Sequence, residues 1–234
     1  MPEPPELVKH GKVASSQRLS GTPSLPSADQ CSGKCFELEI EELNKVIHAN
    51  SGMMKSIFLC RRAALYLKLG CFNDAKADLE EAEGQKHQFA ALHWQKHILL
   101  LLENRVSEAL SQVEKTIELM LLGRSKKTPP SNFLLDAYRA RGYLSQQLGR
   151  YELALQSYEM VLLFRPRESR TLLNLGEVHE QMGNLEAAVA RFNEVINVDG
   201  QNIPAKLKVA KHHIHTGLEA SFIDADDLFV AVTT

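Results

Sequence analysis

Residues 173–200 read LNLGEVHEQMGNLEAAVARFNEVINVDG, and the stretch ARGYLSQQLGRYELALQSYEMVLLFRP, which ends at Pro166, has the same rhythm. Gly142 recurs as Gly176, Gly149 as Gly183, Ala154 as Ala188 and Tyr158 as Phe192, each pair 34 residues apart. A fixed period of this length marks a stacked array of small units in place of a catalytic domain.

Toward the N-terminus the same period carries Ala75, within residues 56–89, onto Ala109, within residues 90–123. Two further units occupy 135–168 and 169–202. The fragment RSKKTPPSNFL at 124–134 breaks the spacing with two prolines and three basic residues and reads as an inserted loop. A fifth unit opens at Ile203 and keeps its turn glycine, Gly217, but Phe222 stands where the earlier units have alanine.

Each unit joins an apolar-periodic segment to a Gly or Asn turn (Gly70, Asn104, Gly149, Gly183) and then to a second such segment. Gly and Asn tolerate the left-handed backbone that ends a helix. Alanine at 75, 109, 154 and 188 lets two antiparallel helices cross closely, and Leu79, Val113, Tyr158 or Phe192 four places later fills the space beyond. A hairpin this small cannot bury its own apolar face, so the units must stack.

At these residues the chain resembles the tetratricopeptide repeat family, whose pattern joins a first-helix glycine, a turn, a second-helix alanine, an aromatic residue and a closing proline. The resemblance is fullest at Gly142, Ala154, Tyr158 and Pro166, and at Leu175, Gly176, Ala188 and Phe192. The unit at 56–89 keeps Ala63, Tyr66, Ala75 and Ala82 but has His87 in the proline place. The unit at 90–123 departs furthest, with His97 in the glycine place and Thr116 in the last small place. The resemblance implies an all-α fold, a right-handed α-solenoid of stacked antiparallel helix pairs that holds peptides or partner helices on the concave face of its first helices.

The flanks differ in composition. Residues 1–34 are rich in Pro, Ser and Gly, with too little apolar surface to offset the entropy of ordering, and read as a disordered tail. Phe36, Ile40, Leu43 and Ile47 then share one helical face, which predicts a capping helix or degenerate half repeat over 35–55. At the other end, residues 203–234 read as an incomplete fifth repeat and a C-terminal cap. Lys206, Lys208 and Lys211 precede a segment in which Glu219, Asp224, Asp226 and Asp227 sit beside Phe222, Ile223, Leu228, Phe229 and Val230. An open solenoid end exposes a core face, and this acidic, apolar segment is suited to cover it.

Composition narrows the function. A formal net charge of -2 offers no basic footprint for nucleic acid. The apolar run ILLLL at 98–102 is far short of the roughly 20 residues of a membrane span. Without an apolar secretory h-region, the chain is expected in the cytoplasm, with the nucleus or cytoskeletal and ciliary structures as alternatives. Cys31, Cys35, Cys60 and Cys71 are too few for a disulfide scaffold and are expected to be plain packing or loop residues.

No catalytic motif survives inspection. HEQMG at 179–183 has Gly183 where a zinc protease needs its second histidine, and DADDLF at 224–229 lacks the glycine and distal glutamate of a calcium loop. His93 and His97, and the cluster His212, His213 and His215, lack the cysteines and the four-ligand spacing of structural zinc. No enzyme activity, metal or cofactor is expected.

The expected function is therefore a non-catalytic scaffold or adaptor that binds a protein partner through a peptide or helix. In the implied groove the N-terminal half is apolar, with Ile57, Cys60, Ala64 and Leu67 followed by Ala91, Trp94, Ile98 and Leu101. The C-terminal half is charged, with Asp136, Arg139, Tyr143 and Gln147 followed by Arg170, Leu173, Glu177 and Glu180. Either Trp94 anchors a partner in an open slot with Ile98 and Leu101, or the helix containing Phe36 and Ile40 covers the slot and Trp94 is core. The alternative function is a co-chaperone-like clamp for an acidic C-terminal peptide, for which the best window supplies Arg139, Tyr143, Asn174, Pro204 and Lys208. Tyr143 and Pro204 are the wrong residues for that pattern.

Overall fold

The structure, a computed structural model, describes residues 28–85, 87–122, 124 and 129–216. Most of the expected tail, up to residue 27, and the expected cap from 217 onward lie outside the described residues. The elements are α1 (Ala28–Ala49), α2 (Gly52–Leu69), α3 (Phe72–Gly84), α4 (Ala90–Leu102), α5 (Val106–Leu121), α6 (Asn132–Gln147), α7 (Tyr151–Phe164), α8 (Ser169–Gln181), α9 (Leu185–Val198) and α10 (Ile203–Thr216). No strand interrupts them among the described residues. Helices pair as α2 with α3, α4 with α5, α6 with α7 and α8 with α9, and the pairs stack through α3 and α4, α5 and α6, α7 and α8, and α9 and α10. The architecture is an α-solenoid.

The four turns share one geometry. Gly70, Asn104, Gly149 and Gly183 have φ of 77°, 59°, 70° and 80°, the left-handed backbone that the residue types call for. Each turn closes its first helix with paired backbone bonds. The Gly183 amide donates to Glu180 O at 3.0 Å and the Asn184 amide to His179 O at 2.8 Å, as the Gly149 and Arg150 amides do to Gln146 O and Ser145 O. Carbonyls that the helix end would orphan are satisfied in this way.

The helix crossing inside each pair explains the first-helix glycines. A Cβ on Gly142 would lie 2.6 Å from the Tyr158 ring, and one on Gly176 would lie 2.5 Å from the Phe192 ring. Tyr158 and Phe192 are fully enclosed because no side chain stands opposite them. The other two pairs divide the same space differently. Ala63 faces the register of Leu79, and His97 that of Val113, so the second residue shrinks as the first grows. His97 in the glycine place is thus half of a compensating pair, and the 90–123 unit keeps the regular helix pairing.

Two boundaries differ from the sequence expectation. Helix α1 starts at Ala28, inside the stretch expected to be tail, instead of near residue 35. Helix α6 starts at Asn132, which shortens the insertion expected at 124–134. Ser131 caps α6, its hydroxyl accepting from the Leu134 amide at 3.2 Å, so the prolines at 129 and 130 end the loop and a Ser cap starts the helix.

Helix α1 packs on α2. Leu43 and Ile47 are buried with Leu59, Cys60 and Ala63, and Phe36 and Ile40 pack against the same cluster. Polar bonds set the register: Glu39 pairs with Arg61 at 2.6 Å, and Asn44 Oδ1 accepts from Arg62 Nη1 at 2.5 Å. Cys60, expected in the groove, is buried by this helix, and desolvation pushes its thiol up to about 12.

Candidate partner-binding groove

Trp94, Ile98 and Leu101 recur along α4 at helical spacing and all three are half-buried. The helix that screens Trp94 is not the one expected. Its indole meets the Phe133 ring of α6 edge-on, with centroids 5.2 Å apart at 82°, and leans on the His97 imidazole at 4.2 Å. Trp94 and Leu101 pack with the cluster of Leu100, Leu110, Leu134 and Tyr138, whereas Phe36 and Ile40 of α1 pack with the α2 cluster. Phe133 went unnoticed in the sequence because it falls in the supposed loop; the Ser131 cap ahead of it is the signal that places it in a helix.

Two buried histidines brace this region. His93 Nδ1 is 2.8 Å from Gln112 Oε1 of α5, and His97 Nδ1 bonds the Trp94 carbonyl. Among the described residues no group of three His, Cys, Asp or Glu side chains is arranged to hold a metal.

Burial of His97 lowers its pKa from 6.5 to about 4. Its folded pKa lies below its unfolded value, so the unfolded chain takes up the proton first on acidification. The contribution is complete above pH 6.5 and is lost as pH falls toward 4, worth up to about 3 kcal/mol. The His97 ring proton should therefore titrate below pH 5 by NMR, and His97→Asn should flatten the dependence of stability on pH between 6.5 and 4. A His97 titrating near 6.5 contradicts this.

Part of the charged half of the expected groove is engaged internally. Arg139 bonds Asp136 of its own helix and Glu168 at 2.6 Å, while Glu168 also accepts from Thr171 Oγ1 at 2.6 Å. Asn174 donates to Tyr158 Oη at 3.4 Å, and Lys208 Nζ lies 2.5 Å from Glu180 Oε2. Tyr143 stands open, 48% exposed, and Gln147 and Arg170 are exposed as well. Trp94, Ile98 and Leu101 thus share one helix, whereas Arg139, Asn174 and Lys208 lie on three helices, each tied to its own partner.

No helix among the described residues is long and apolar enough to cross a membrane.

A tetratricopeptide repeat family model matches residues 169–202. The uncharacterized protein ycf37 of Guillardia theta is 32% identical over 84 residues, which are 36% of this chain and 46% of that protein, so the match spans less than half of this relative. Among solved structures, YrrB, described as a TPR protein with an unusual peptide-binding site, superposes with a TM-score of 0.66 at 17% identity, covering 83% of this chain and 92% of its own. MamA from Desulfovibrio magneticus RS-1 gives 0.63 at 17% identity, covering 76% and 93%. One repeat is matched in sequence and the stacked helix pairs are matched in fold: residues 169–202 match a tetratricopeptide repeat, and the chain has the α-solenoid fold of the solved repeat proteins.

Proposed function

We propose that the protein is an adaptor that binds a partner's peptide or amphipathic helix along α4, with Trp94 as the anchor and Ile98 and Leu101 beside it. The half-open apolar stripe on a first helix carries this reading. Leu102, 55% exposed, extends the stripe past Leu101, and Tyr143 offers a second open aromatic side chain by repeat register. Large aromatic side chains in such a setting dominate binding energy, and an apolar helix face is what a groove of this kind receives. The peptide-binding site ascribed to YrrB supports the same class of ligand. The acidic-peptide clamp has less support, because Arg139 and Lys208 already hold Glu168 and Glu180.

Trp94 is the single tryptophan, so its emission reports on this stripe. Titration with synthetic amphipathic helical peptides should shift that emission to the blue. Trp94→Ala should weaken binding by roughly 2 kcal/mol, near thirtyfold, with helicity retained. Peptides ending in two carboxylates serve as the contrast. If only these bind, and Arg139→Ala or Lys208→Ala abolishes that binding while Trp94→Ala leaves it unchanged, the site is the charged half.

A further inference from the structure

The seam between α9 and α10 is built like that between α7 and α8 but is not filled like it. In the α7 and α8 seam, Leu175 and Val178 bury against Ala154 and Tyr158, and Met182 packs over them. One period later the corresponding residues are Val209, His212 and Thr216, and the place of Asn174 is taken by Lys208. A cavity of about 250 Å³ opens there, with Leu185, Ala188, Val189 and Phe192 as its apolar wall and Lys211, His212 and the Lys208–Glu180 ion pair at its rim. On the other side of Lys211, α10 exposes Ile203, Leu207 and Ile214, each about half accessible. At 100° per residue these three fall within one narrow stripe.

We infer that this cavity and stripe are the docking surface for the chain's own residues 219–234. Three features select this occupant. It complements the surface, with Phe222, Ile223, Leu228 and Phe229 for the apolar wall and stripe and Asp224, Asp226 and Asp227 for Lys211, Lys208 being already paired with Glu180. It is within reach: His212 is about 6 Å of helix from Thr216, and the six residues on to Phe222 span up to about 20 Å when extended. It also cannot serve as an ordinary second helix in the repeat register. That register places Phe222 where Ala188 crosses, and Asp226 where Phe192 is enclosed, so it would overpack one site and bury a carboxylate at the other. Docking out of register puts the aromatic residues in the cavity and leaves the acids beside Lys211.

Zero-length carbodiimide coupling of the intact chain, read by mass spectrometry, tests this. An amide between Lys211 and Asp226 or Asp227 should form within the monomer. The full-length Phe222→Ser/Phe229→Ser chain should lose that product, and amide exchange over 203–216 should quicken about tenfold while exchange over 135–198 stays unchanged. Coupling confined to covalent dimers assigns the surface to a second copy and overturns the inference. So does the absence of coupling together with α10 exchange that the double substitution leaves unchanged.

Discussion

Placing a methyl group on Gly176 is expected to destabilise the protein by about 2–3 kcal/mol, and removing the ring it would strike, by Phe192→Ala, by about 3–5 kcal/mol. The first cost follows from geometry: the new Cβ would sit 2.5 Å from a ring carbon of Phe192, a residue only 2% exposed and unable to move aside. The second is the cost of the cavity left behind. The decisive variant is the pair Gly176→Ala with Phe192→Leu, which recreates the Ala63 and Leu79 combination that this chain already uses one helix pair from its N-terminal end. Urea denaturation of both singles and the double should show coupling of at least about 1 kcal/mol in the favourable sense. Strictly additive losses would mean that the glycine is not there to admit the ring.

The second large effect is expected at Asp78. Its two carboxylate oxygens accept from Arg62 Nη2 at 2.6 Å and Nε at 2.8 Å, with the side chains 5% and 17% exposed. The Asp78 hydrogen bond, ahead of the opposing desolvation, holds the Arg62 guanidinium above its ordinary pKa. Asp78→Ala leaves a largely buried cation with no carboxylate on it, only the Asn44 amide and the Tyr66 ring beside it, and should cost about 3–5 kcal/mol. The double substitution Arg62→Met with Asp78→Leu should cost clearly less, because the expense lies in the uncompensated charge more than in the lost attraction. Thermal melts of the three variants give the comparison. A single Asp78→Ala variant that melts with the parent protein would show that Arg62 reaches water.

The same register illustrates how residue types outside the repeat pattern acquire their roles. Arg62 and Asp78 stand in α2 and α3 where Arg141 and Ser157 stand in α6 and α7, and there the arginine donates to a hydroxyl at 2.8 Å and lies over the Tyr138 ring. No repeat consensus distinguishes the two arginines. What does so is the single side chain opposite each.

The helix pairs and their turns were legible from residue types because the causes are local. Left-handed backbone at 70, 104, 149 and 183 needs Gly or Asn, and a close crossing at 75, 109, 154 and 188 needs Ala. Each requirement shows in one or two letters that recur at a fixed interval. The start of α6 was obscured for an equally local reason. Two prolines and three basic residues outweighed one Ser cap, and the boundary took Phe133 with it.

Which groove residues remain open is a question of another kind. Arg139 and Glu168 are 29 residues apart and Lys208 and Glu180 are 28 apart, so their pairing depends on the rotation between stacked helices and leaves no trace in a 34-residue period. Trp94 likewise offers the same letter whether α1 or α6 screens it. Only the packing of α1 onto α2 and the placing of Phe133 on the first turn of α6 leave its ring half-covered. Propensity and turn chemistry act within a few residues and are written in composition, whereas exposure is set by whatever neighbour the stacking brings across, a property of surfaces far apart in the chain.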